Sequence, residues 1–140
     1  ADLVYAVLNS HLVYWLWIVI GDGFHLTESF VKHIPINPDN FSSRGKESLE
    51  SLGSELRNTV KQFPIYKINS GKTIGNYNLL KCGPIIKSID KVLVSELSIS
   101  RSFGDFLNTM YIEHISAGRL EYKNRLNLNS DSIQQSIYEQ

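Results

Sequence analysis

The feature that most limits what this chain can become is its opening run, Leu3 to Ile20, LVYAVLNSHLVYWLWIVI, closed by Gly21-Asp22-Gly23. Its length approaches the roughly 18 apolar residues of a membrane-spanning helix. Asn9, Ser10 and His11 stand in its middle, where hydrocarbon would leave them unpaired, and the uninterrupted piece Leu12 to Ile20 is too short to span. No basic residues flank the run to set an orientation. It therefore reads as one helix buried over most of its circumference, needing apolar partners on several sides, and no membrane partner is expected. Only Asp2 precedes the apolar stretch, unlike a signal peptide, and with Ala1 in first place the chain reads as a fragment cut from a longer protein.

After the glycine turn, Thr27 followed by Glu28 predicts the start of a short helix through Phe30 and Val31, which Pro35 stops. Ile34 to Pro38 is expected to be extended. From about Gly45, Leu49, Leu52, Leu56, Val60 and Phe63 recur by threes and fours, one apolar helical stripe ended by Pro64. Its opposite face places Glu47 and Glu50 early and Arg57 and Lys61 late, as the helix dipole favours. Ile65 to Asn69 and Thr73 to Leu79, separated by Ser70-Gly71-Lys72, predict a hairpin. Gly83-Pro84 opens a further helix with Ile85, Ile89, Val92 and Leu93 buried. Another helix, from about Ser102, buries Phe103, Phe106, Leu107, Met110 and Tyr111 and ends at Gly118. The expected fold class is α+β, predominantly helical with one small antiparallel hairpin or sheet. Residues 1–118 form a single domain fragment and 119–140 a polar tail, partly helical or disordered.

The chain has 14 basic and 14 acidic side chains, so its overall balance points to no partner. Their distribution is uneven: residues 56–91 hold seven basic side chains and one acid. Cys82 is the single cysteine, which excludes an internal disulfide and a cysteine-rich zinc site and fits a reducing, cytoplasmic compartment.

Catalytic chemistry is sparse. His11, His25, His33 and His114 lack metal-ligand spacing. Asp22 and His25 stand close enough for a hydrogen-bonded acid-base pair, but no nucleophile motif accompanies them. Ser70-Gly71-Lys72-Thr73 lacks the upstream glycine of a phosphate-binding loop, position 66 being Tyr66, and reads as a hairpin turn. What remains is a cationic stretch, Arg57, Lys61, Lys67, Lys72, Lys81, Lys87 and Lys91, interleaved with Asn69, Asn76, Tyr77 and Asn78. Unopposed lysines suit phosphate contact, and amides with planar groups suit base edges. A solvated lysine face has the same composition.

Leu8-Asn9-Ser10-His11-Leu12, Tyr14-Trp15-Leu16-Trp17, Gly21-Asp22-Gly23-Phe24-His25-Leu26-Thr27 and Ile34-Pro35-Ile36 follow one another in an order that resembles the C-terminal region of adenine-specific DNA methyltransferases of restriction-modification systems, including single-chain enzymes that join restriction and modification. Ile74-Gly75-Asn76-Tyr77-Asn78-Leu79 and Ile89-Asp90-Lys91-Val92-Leu93 extend the likeness, so that it covers about residues 5 to 97. Specificity subunits of multi-chain restriction systems share a similar plan. The resemblance implies a target-recognition segment that grips double-stranded DNA beside the catalytic methyltransferase domain of the parent chain. It implies S-adenosylmethionine for that parent and no cofactor for this fragment. Asn37-Pro38-Asp39-Asn40 is only half of an NPPY-type motif and the glycine-rich cofactor motif is absent, so the fragment is not expected to methylate alone. DNA contact would then fall to Lys61, Lys67, Lys72, Lys81 and Arg57 at phosphates and to Asn76, Tyr77 or His25 at base edges. The alternative is a specificity-subunit-like or structural module that docks on a methyltransferase domain through its aromatic first helix.

Overall fold

In a computed structural model, which describes residues 1–22 and 25–126 and side-chain environments through residue 115, the opening run is two helices rather than one. α1 spans Asp2–Leu8 and α2 spans His11–Ile20, bent by 53° at the polar trio. The reason is local. Asn9 Nδ2 donates to Tyr5 O at 2.8 Å, closing α1. Ser10, extended at φ −71°, accepts from Val13 N and donates to Val7 O at 2.7 Å, so one hydroxyl ends one helix and caps the next. No single helix among the described residues is long and apolar enough to cross a membrane. Burial is also narrower than the sequence suggests: Ala6, Val7, Leu12 and Val13 are buried, while Val4, Leu8, Val19 and Ile20 are exposed.

A carboxylate from far along the chain completes the bend. Asp90 Oδ1 accepts from His11 N at 3.0 Å and more weakly from Leu12 N, two of the amides an α-helix start leaves unpaired. Its Oδ2 lies 2.8 Å from His11 Nδ1, close but off the hydrogen-bond line. The His11 ring packs on Tyr111 with centroids 4.4 Å apart. All this is buried polar chemistry on an otherwise apolar seam.

α3, Glu28–His33, begins as predicted, with Thr27 Oγ1 accepting from Phe30 N. A single 3-10 turn at Pro38–Asn40 follows the extended Ile34-Pro35 segment. α4 runs Ser43–Val60, started by Ser42, whose hydroxyl accepts from Gly45 N. Its buried stripe is Gly45, Leu49, Gly53, Leu56 and Val60, with Leu52 half-buried. Gly53 is where α1 crosses α4: a Cβ there would sit 2.0 Å from Asp2 O.

β1, Pro64–Asn69, and β2, Lys72–Tyr77, pair antiparallel from Pro64↔Tyr77 to Asn69↔Lys72. Ser70 and Gly71 turn the chain with φ of 50° and 76°, the double positive-φ geometry of a tight hairpin. At the neck, Asn78 N donates to Phe63 O at 2.9 Å. Asn78 itself is buried and its side chain accepts from Leu80 N, so it serves the 3-10 turn Leu79–Cys82 and not the cationic surface.

α5, Gly83–Glu96, starts with proline in its first turn. Its buried residues are Ile86, Ile89, Asp90 and Leu93, whereas Ile85 and Val92 are half-buried. The stripe is rotated from the apolar one because Asp90 must face α2. α6 runs Arg101–Leu126 and passes through Gly118, correcting the expected stop there. A lone helical glycine costs only about 1 kcal/mol and does not end a helix without a capping turn. Leu107 is the buried residue of its first turns, and Phe106 is exposed. α1, α4 and α5 form the centre, with Leu49, Leu56, Ile86, Ile89 and Leu93 fully buried and Leu107 closing from α6. The fold is α+β and predominantly helical, with one two-stranded antiparallel sheet. Of the expected tail, residues 127–140 lie outside the described residues.

Candidate nucleic-acid interface

The hairpin is a ribbon that the helices leave largely bare. Ile65 alone of its strand residues is partly covered; the others are exposed on both faces. The register assigns the faces, since directly paired residues share one side of a sheet. Lys67, Lys72 and Asn76 share a side with Ile65, Asn69 and Ile74; Tyr77 falls on the other, with Tyr66, Ile68 and Thr73. One face is therefore cationic and amide-bearing. The second is aromatic, with Tyr66 71% and Ile68 81% exposed. Gly75 pairs opposite Tyr66, whose ring lies at ordinary contact distance, 3.6 Å, from where a Cβ would stand.

The remaining expected residues scatter. Lys61, at the C-terminal cap of α4, and Lys81, in the 3-10 turn after β2, are exposed near the two ends of the ribbon in sequence. Arg57 is committed elsewhere: it pairs with Asp2 and its guanidinium lies 5.2 Å from the Tyr5 ring centroid. Arg57 thus holds α1 against α4. His25 sits in the α2–α3 turn, its N–H donating to Asp22 Oδ1 at 2.7 Å and its Nδ1 3.1 Å from Asp22 Oδ2. Trp17 Nε1 donates to His25 O at 2.9 Å, fixing the turn to α2. His25 belongs to a different element from the ribbon.

Asp90 is the single acid between residues 57 and 91, and it is buried with its carboxylate turned to the start of α2. Asn69 and Tyr66 complete the two ribbon faces. Strict alternation outward from the Ser70-Gly71 turn carries the signal for both.

The Asp22–His25 pair forms, and a cavity of about 300 Å³ beside it also receives Thr27, Ser29 and His33. Thr27 Oγ1 is used as a helix cap and His33 Nδ1 bonds Ser29 O at 2.7 Å, so the described side chains make no nucleophile-base pair there. Burial pushes the Cys82 thiol up, away from thiolate reactivity. Compared with known protein families, curated proteins and solved structures, the chain matches none.

Proposed function

We propose that this chain is the DNA-gripping, target-recognition portion of a cytoplasmic restriction-modification adenine DNA methyltransferase, non-catalytic by itself. The observation that supports it best is the ribbon, a two-stranded element bare on both faces that carries Lys67 and Lys72 and stands between Lys61 and Lys81 in the sequence. An isolated two-stranded hairpin is marginal in water and gains from a partner. The major groove of DNA, about 12 Å wide, admits such a ribbon. Lys61, Lys67, Lys72 and Lys81 would contact phosphates, and Asn76 with Asn69 would face base edges. Tyr77 lies on the opposite face, toward sugar or backbone. S-adenosylmethionine and the transfer chemistry belong, in this reading, to a separate catalytic domain of the parent enzyme.

The test is duplex DNA binding by this chain against salt concentration. Replacing Lys61, Lys67, Lys72 and Lys81 by alanine is expected to lower the slope of log K against log salt by about 3 to 4, at about 0.9 per phosphate contact. Unchanged affinity and slope would refute the surface.

A second reading, a module that docks on the methyltransferase domain, is favoured by the exposed Val4, Leu8, Val19, Ile20 and Leu26 around α1 and α2. It expects Val19→Ser with Ile20→Ser to abolish association with a separately expressed catalytic domain. Retained association would exclude it.

A further inference from the structure

A second cationic feature lies off the ribbon. Between α5 and α6 runs a groove of about 770 Å³, the size of a small-molecule site. Lys87 and Lys91, one helical turn apart on α5, reach it from one side, and Arg101, the first residue of α6, reaches it from the other. Among the described residues none of these three makes an ion pair. Asp90 also lines the groove, but its oxygens are turned to the start of α2. Asp105 is the one remaining acid, so three cations face one available carboxylate. Holding like charges along one groove is unfavourable unless an anion enters between them.

The rest of the lining narrows the chemistry. Asn108 and Thr109 add an amide and a hydroxyl. Val94 and Ile99 supply an apolar wall, and Gly104 keeps α6 close to it, since a Cβ there would come within 3.1 Å of Val94 Cγ2. The α6 start carries no acid in its first turn, so its positive dipole end adds to Arg101. A bare inorganic anion would leave Val94, Ile99 and Asp105 unused. A phosphate ester with a hydroxylated, partly apolar body uses all of them, the phosphate among the cations and a hydroxyl donating to Asp105.

We propose that the α5–α6 groove binds the phosphate of a nucleotide, either free or as one unit of a nucleic acid strand. This site does not depend on the ribbon's reading. The experiment is an amide-resolved NMR titration of the full chain with inorganic phosphate, with adenosine monophosphate and with a short DNA duplex. A parallel series uses Lys91→Gln with Arg101→Gln, both at exposed positions. Shifts at Lys91, Arg101 and Asn108 with the mononucleotide assign a free nucleotide, and shifts there with DNA alone assign the strand. In either case the double variant is expected to bind about tenfold or more weakly, the worth of one charged hydrogen bond. The inference is overturned if no titrant moves those amides at millimolar concentration, if inorganic phosphate binds as tightly as the nucleotide, or if the folded variant binds unchanged. DNA shifts confined to residues 64–77, with no mononucleotide shift at the groove, would overturn the groove while leaving the ribbon standing, and the wild-type shift map decides even if the variant fails to fold.

Discussion

Replacing Asp90 by alanine tests whether the long-range cap holds the bend between α1 and α2. The carboxylate accepts from His11 N at 3.0 Å and Leu12 N at 3.4 Å in a buried setting, and approaches His11 Nδ1 at 2.8 Å. Orphaning one buried donor costs about 1 to 3 kcal/mol, and removing an anion from a helix start up to about 2 kcal/mol. These overlap, and the second amide is held weakly, so the expected loss is about 2 to 4 kcal/mol. Against a total of about 5 to 15 kcal/mol this is a large share. With a urea slope of about 2 kcal/mol per molar, the midpoint falls by about 1 to 2 M. Trp15 and Trp17, the two tryptophans of the chain, both lie in α2, so their fluorescence reports from the capped helix while circular dichroism follows the whole. Asp90→Asn keeps an acceptor and is expected to cost about 1 to 2 kcal/mol. A loss below about 0.5 kcal/mol for alanine, or equal losses for the two variants, would refute the reasoning.

Gly53→Ala is expected to destabilise by about 1 to 2 kcal/mol in urea, because the methyl forces α1 off Asp2 O by more than helix propensity returns; net stabilisation would mean that α1 does not cross there. Glu96 is held below the ordinary carboxylate range by the Ser42 hydroxyl and N–H, and Glu50 by the Leu3 and Asp2 N–H groups, with burial opposing in both. Their folded forms bind protons less readily than the unfolded chain, so their contribution is full above about pH 4.3 and is lost as pH falls through the lower folded values. Acid titrations of Glu96→Gln and Glu50→Gln should show shallower loss of stability in that window than wild type, and identical curves would contradict the assignment. Ser70→Asn suits the positive φ of the hairpin turn and is expected to slow amide exchange in β1 and β2 by about 0.5 to 1 kcal/mol of protection; faster exchange would exclude this turn type.

What the sequence makes legible is what short-range rules decide. Thr27 marks α3, Gly83-Pro84 opens α5, the Leu49–Leu56–Val60 stripe marks α4, and Ser70-Gly71 places the hairpin. Ser10 is a good N-cap residue type inside an otherwise apolar run, and the helix is broken where it stands. The rotation of α5 depends on Asp90 meeting His11, 79 residues away, which no local period contains. Arg57 illustrates the same limit at the candidate site. Its helix position matched a solvated cationic face, but Asp2 and Tyr5 claim its charge across the α1–α4 seam. The ribbon lysines, by contrast, are placed by strand alternation alone, and their exposure follows from a hairpin left bare on both faces.

The closed neck at Phe63 and Asn78 has an evolutionary consequence. Because the strands are exposed apart from Ile65 and their ends are tied by the Asn78–Phe63 backbone hydrogen bond, most residues from Pro64 to Tyr77 can be exchanged without disturbing the packing of α4 on α5. A lineage could then rewrite these fourteen positions as a cassette, while selection for folding acts on the helices.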